Sequence, residues 1–261
     1  MISVLVPGIR PENWKRLYDS VERAYSNHFQ IVFCGPKPPP LSLLGKQEVS
    51  FIKDYGSPIR CQQIALLNSD FPFITWAADD GWFMENSLNI AYDNLIKEKE
   101  DALIMGKYIE GSNDGEMTMQ DDSYYVLSNH QATRFVKQGY FMLNVGLVPK
   151  QLLMNLGGWN CDFEVCPMAY NDFAVRAQDY GIKFIVQKEI MFQCTHLPGY
   201  AGDHGPIHDA QILHDEPLFR SIYRGMNVPR KIRIDLLNYK KSPEIWTRRF
   251  RKDENAITRI S

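Results

Sequence analysis

Short apolar runs alternate with amphipathic stretches along this chain, and the alternation predicts its fold. Ile2–Val6, Gln30–Cys34, Val49–Lys53 and Phe73–Trp76 are β-prone runs of the length of a buried strand. Between them, Glu12–Tyr25 places Trp14, Leu17, Val21 and Ala24 on one helical face, and Ile59–Leu67 reads as a second helix. Ser87–Lys97 follows as a third, with Asn86 or Ser87 able to cap it and Leu88, Ala91, Tyr92 and Leu95 on one face. Further on, the pattern predicts strands at Ala102–Met105, Phe141–Val148, Phe184–Val186 and Ile190–Cys194, and helices at Lys150–Asn155 and Asp172–Tyr180, the last ended by Gly181. The polar stretch Gly111–Asp122 reads as a surface loop, and His196–His214 as a loop with four histidines. Strand and helix in alternation imply an α/β fold, with a mostly parallel central sheet flanked by helices.

Composition adds bounds. The chain has 261 residues, 44 % hydrophobic and 23 % charged, which suits one large domain with an appendage. We expect a main domain over residues 1–215 and a C-terminal extension over 216–261. No apolar run approaches the roughly 20 residues of a membrane span, and the opening MISVLVPGIRP reads as a first strand and not as a signal peptide. Five cysteines, an odd number with no CxxC spacing, speak against a disulfide framework and for a reducing cytoplasm. The net charge of −2 hides an asymmetry: residues 224–261 carry 11 basic and 4 acidic side chains, +7, against −9 for the rest. In that stretch Tyr239, Trp246 and Phe250 interleave with the basic residues. The pattern suits a polyanion, either nucleic acid or an anionic membrane surface, or else a solvated appendage packed on the acidic body.

The chemistry-bearing residues gather at strand ends. Asp79 and Asp80 follow the Phe73–Trp76 strand, where an open α/β sheet places its ligand crevice. Their hard oxygens suit Mg²⁺ or Mn²⁺, although an Asp-Asp-Gly triplet also makes a plain turn. Neither a Walker A nor a GxGxxG motif is present, which argues against a P-loop kinase and a dinucleotide enzyme.

Three segments in order resemble the family-2 glycosyltransferases of GT-A fold: ISVLVPGIRPENW, FPFITWAADDGW and LGGWNCDFEVCPMAYNDFAVRAQDYG. The resemblance runs over roughly residues 1–196. It departs from the family at Ala77, where the first aspartate of the DxD motif would fall, and at Asn171, where glutamate is common. It implies an inverting, metal-dependent transfer of a hexose from a nucleotide diphosphate sugar, UDP-glucose as first choice, to an acceptor hydroxyl. About 1–110 would bind the donor and 111–215 the acceptor.

Residue by residue, it implies that Pro7, Gly8 and Arg10 approach the nucleotide, that Asp54 accepts from a uracil N3–H, and that Arg60 pairs with the diphosphate. Asp79, Asp80 and His196 would hold the metal. Asp172 would be the base, or a helix cap; Arg176, four residues on, would orient it or form a structural pair. Trp159 would wall the acceptor site, or lie in the core. Saccharide, lipid-linked glycan and modified DNA are the acceptors considered. The alternatives are a non-catalytic module that binds a nucleotide or glycan, and a sugar-phosphate nucleotidyltransferase.

Overall fold

The computed structural model describes residues 1–98, 100–111, 117–121, 140–195, 204–223 and 231–250. Its strands are β1 (Ile2–Pro7), β2 (Phe29–Gly35), β3 (Val49–Lys53), β4 (Phe73–Trp76), β5 (Gly81–Phe83), β6 (Ala102–Gly111), β7 (Met117–Asp121), β8 (Val145–Pro149) and β9 (Lys183–Thr195). The helices are α1 (Pro11–Ala24), α2 (Pro58–Leu67), α3 (Ser87–Leu95), α4 (Lys150–Asn155), α5 (Cys166–Asp179), α6 (Gly205–Ala210) and α7 (Glu216–Tyr223), with a π-helical segment, Gln211–Asp215, joining the last two.

All nine strands form one sheet, ordered β3-β2-β1-β4-β8-β6-β9-β5, with β7 paired to β6. The block β3-β2-β1-β4 is parallel throughout. Beyond it the sheet is mixed: β8 runs antiparallel to both neighbours, while β6 and β9 are parallel. The sheet lies between two apolar cores, and alternation along each strand feeds both. Ile2, Val4 and Val6 of β1 enter the core shared with Trp14, Leu17 and Val21 of α1 and Leu88 and Ala91 of α3. Leu5 enters the opposite core, with Ala65 of α2, Leu153 of α4, Phe173 of α5 and Phe219 of α7. Strands buried on both faces read as the continuous apolar runs that identify them in the sequence.

Several expectations need correcting. Residues 117–121 form β7, inside the stretch expected to be loop. The two late strands are one, β9, whose pairing with β6 shifts register near Lys107. Helix α5 begins at Cys166, six residues before the expected start, because Pro167 stands in its first turn, where a missing N–H costs nothing. Part of the expected histidine loop is helical from Gly205 onward. The helical run continues through residue 215, and both Phe219 and Tyr223 enter the main core.

Residues 231–250 pack on the body of the domain, as one of the expected readings has it, with Ile232 against the main core and Trp246 buried. They run as a strap over the domain, held by buried side chains. Gln63 donates to the carbonyls of Gly157 (3.2 Å) and Leu236 (2.8 Å) and accepts from Trp159 N–H (2.8 Å). Asn238 accepts from Cys161 N–H at 2.7 Å and donates to the Trp159 carbonyl at 3.1 Å. Gly157 sits at φ +89°, and a Cβ there would lie 1.9 Å from the Ile234 carbonyl oxygen. Glycine is therefore required both for the turn and for the strap that crosses it. Among the described residues no helix is long and apolar enough to cross a membrane.

Candidate active site

A cleft opens where the parallel strands end. Pro7 ends β1 and Gly8 to Arg10 follow it, Gly35 ends β2 and Pro36 follows it, Gly56 and Pro58 come after β3, and Ala77 to Asp80 follow β4; all line it. Small residues let backbone approach backbone here: a Cβ on Gly35 would stand 1.9 Å from the Gly8 carbonyl oxygen. The rest of the lining includes Tyr108, Tyr170, Cys194, His204, Trp246 and Phe250.

A charge cluster sits in the cleft. One oxygen of the buried Asp79 carboxylate accepts the backbone N–H groups of Ile9 (2.6 Å) and Arg10 (2.7 Å), at the N-terminus of α1. The other oxygen takes the Arg10 guanidinium. That guanidinium also lies 3.2 Å from Asp80 Oδ2, and His204 Nε2 stands 3.2 Å from the same oxygen and 3.3 Å from Arg10. The pairing of Gly81 with Cys194 brings the Cys194 thiol to 3.5 Å from Asp80 Oδ1. Burial raises the Asp79 carboxyl above its ordinary value, against the opposing pull of Arg10 and the backbone donors. For Asp80 burial also acts upward, but His204, Arg10 and Cys194 together outweigh it and hold the carboxyl low. Cys166, also in the cleft wall, is pushed up to about 12 by burial, so it is a thiol and no nucleophile at neutral pH.

The donor set does not fit the divalent ion that the resemblance implies. Both Asp79 oxygens are already engaged, and the cation between the two carboxylates is Arg10 itself. Among the described residues no group of three or more His, Cys, Asp and Glu is placed to hold a metal. His196 lies outside the described residues. The imidazole beside Asp80 is His204, eight positions further on; the cluster of histidines was visible in the sequence, but not which of them turns back to the cleft.

The remaining expected residues divide. Pro7, Gly8, Arg10, Asp79 and Asp80 converge on the cleft, as the resemblance implies. Asp54 and Arg60 instead pair with each other: Arg60 Nε and Nη2 reach the Asp54 carboxylate at 3.1 Å, and Nη1 donates to the carbonyls of Tyr239 (2.5 Å) and Ser242 (3.0 Å). The guanidinium fork fastens the strap and does not face a diphosphate. Trp159 is fully buried, edge-on to Trp76 at 4.9 Å, and is core.

Asp172 also lies away from the cleft. On α5 the cleft-facing residues are Cys166, Pro167 and Tyr170, and a residue two places on from Tyr170 is turned by about 200° at about 100° per residue. The Asp172 carboxylate accepts from Arg176 Nε at 2.8 Å and from the Tyr223 hydroxyl at 2.7 Å, with both acid and base buried. Arg176 donates onward to the carbonyls of Leu156 (2.5 Å) and Gly158 (2.8 Å), so the pair pins the glycine turn. The residues that sequence reasoning missed are Gln63, Asn238 and Tyr223. A buried amide or phenol carries no periodic signal, because its partners lie far along the chain.

No protein-family model matches this chain, and no curated protein matches it. Solved structures do. The structure of S. aureus TarS 1-349 with UDP-GlcNAc superposes with a TM-score of 0.55 at 14 % identity, over 78 % of this chain and 60 % of that one. For TarS 1-349 with UDP the values are 0.56 and 14 %, over 84 % and 68 %. For the longer S. aureus TarS structure they are 0.55 and 15 %, over 88 % and 44 %. This chain thus spans about three fifths of TarS 1-349 with UDP-GlcNAc, and under half of the longer structure. The likeness is one of fold: a mixed α/β sheet flanked by helices.

Proposed function

We propose that this chain is a glycosyltransferase that moves a hexose from a UDP-sugar to an acceptor hydroxyl with inversion at the anomeric carbon. The observation that carries the reading is the cleft: Asp79, Arg10, Asp80 and His204 converge at the C-terminal ends of the parallel strands. The fold is shared with a protein solved with UDP and with UDP-GlcNAc. In this reading Asp79 is a positioning residue: it fixes the β1–α1 turn and aims Arg10. Arg10 then supplies positive charge to the departing diphosphate, the part of such a transfer where charge develops. Glycine and proline at the ends of β1, β2 and β3 make room for the nucleoside. No step is routed through a metal ion. In this reading Asp172, outside the cleft, does not take the acceptor's proton; the ionised Asp80 carboxylate in the cleft lining takes it as the hydroxyl attacks the anomeric carbon and UDP departs.

The test is a donor panel of UDP-glucose, UDP-GlcNAc and other nucleotide sugars, with released UDP or GDP measured in Mn²⁺, in Mg²⁺ and in EDTA. Release from one UDP-sugar that continues in EDTA is the expected result. Pyrophosphate formed from a nucleoside triphosphate and a sugar phosphate would select a nucleotidyltransferase instead. One observation favours a second reading, a module that binds the nucleotide without transferring sugar: the carboxylate in the position of the family's base is tied up in a buried pair. UDP binding with no turnover on any donor, water and offered saccharides included, would select that reading.

A further inference from the structure

The strap does more than cover α2, because its end re-enters the cleft. Trp246, Arg249 and Phe250 line the same cavity as Gly8, Gly35 and Gly56. Their placement is fixed by contacts to the loop after β3 and to the turn before α5. Ile245 bridges to Tyr55, Trp246 N–H donates to the Tyr55 carbonyl at 2.8 Å, and Trp246 Nε1 donates to Glu164 at 3.0 Å. Arg248 pairs with Glu164 as well. Phe250 meets Tyr55 edge-on at 5.7 Å, and the Arg249 guanidinium lies 5.4 Å from the Trp246 ring. Trp246 is buried with Val165 and Ala210, while Phe250 packs half-buried beside them.

The lining thus joins two kinds of surface: glycine and proline from the ends of β1, β2 and β3, and aromatic rings with a guanidinium from the strap. Such a lining suits a planar heterocycle, because every nucleobase offers a π-face and a stacked aromatic gains on the order of 1–3 kcal/mol per base. We propose that the C-terminal strap completes the nucleotide site, with Phe250 and Trp246 as the wall against the base of the donor. Of the basic, aromatic tail, residues 246–250 are on this account part of the donor pocket. The inference rests on the nucleotide reading above and adds which residues grip the base.

The experiment uses the full chain, with UDP and UMP as probes in calorimetry. Phe250→Ala should weaken UDP and UMP alike by about tenfold, with the thermal midpoint unchanged, and Phe250→Tyr should restore both. Equal loss for both probes separates a base contact from a phosphate contact. Wild-type fluorescence should change on UDP addition, and Trp246→Phe should lose most of that change while calorimetry still records binding. If Phe250→Ala binds UDP within twofold of wild type, or the fluorescence change survives Trp246→Phe, the strap inference is overturned and the nucleotide reading stands. If Phe250→Ala does not fold, the Trp246→Phe measurement decides. Wild-type protein that binds neither UDP nor UMP overturns both.

Discussion

Asp79→Ala is expected to abolish turnover, by at least about 10²–10³-fold, and to loosen the fold at the same place. The side chain is the acceptor for two backbone N–H groups and one guanidinium, all at the start of α1. Alanine leaves those donors facing a cavity, and Arg10 is left with Asp80 as its carboxylate partner. Breaking one side of a largely buried charge pair costs about 3–5 kcal/mol, and Arg10 keeps enough solvent contact for the lower end of that range to apply here. Asp79→Asn keeps the volume but sets an amide N–H₂ against donors on at least one side, so it should recover stability better than activity. UDP release and a thermal melt on both variants check this. Asp79→Ala with turnover near wild type would remove Arg10 positioning from the account.

Arg176→Ala is expected to have the larger effect on folding. The arginine bonds Asp172 and the carbonyls of Leu156 and Gly158, and its side chain is almost wholly buried. Removing it strands a buried carboxylate with one phenol partner, Tyr223, and frees two carbonyls in the glycine turn that carries the strap. A cost of about 3–5 kcal/mol is the expected range, against a total stability of about 5–15 kcal/mol for a domain. Circular dichroism should show a much lowered midpoint or no cooperative transition. Asp172→Asn should likewise lower the midpoint, while turnover per folded molecule stays close to wild type. A variant with normal stability and lost turnover would return Asp172 to the chemistry.

The strands β1 to β4 and the helices between them were legible in the sequence because burial on both sheet faces makes unbroken apolar runs. Asp79, Asp80, Pro7, Gly8 and Arg10 were legible because a parallel sheet sends all its strand ends to one edge. The roles of Asp54, Arg60 and Asp172 were not, whereas the structural pair of Arg176 with Asp172 was one of the two readings its spacing offered. A motif fixes which residue types occur at which spacing, but not whether a guanidinium points at a ligand or at a carbonyl 182 residues away, as Arg60 does toward Ser242. That residues 231–250 pack on the body was one of the sequence readings, but the anchors that hold them were not legible, for a related reason. These anchors, Gln63, Asn238 and Gly157, act across long sequence separations, and the charge of the strap suggested solvent or a polyanion. The signal for packing lay in Ile232, Ile234, Leu236, Leu237 and above all Trp246: a large apolar residue within a basic run gains most from burial.

The measurement that tests the central claim most directly is a crystal structure of the chain with UDP bound. The account predicts the diphosphate beside Arg10, Asp80 and His204, and the uracil between the Gly35–Pro36 backbone and Phe250. UDP ordered elsewhere on the protein, or no UDP at concentrations that saturate a nucleotide-sugar enzyme, would contradict it.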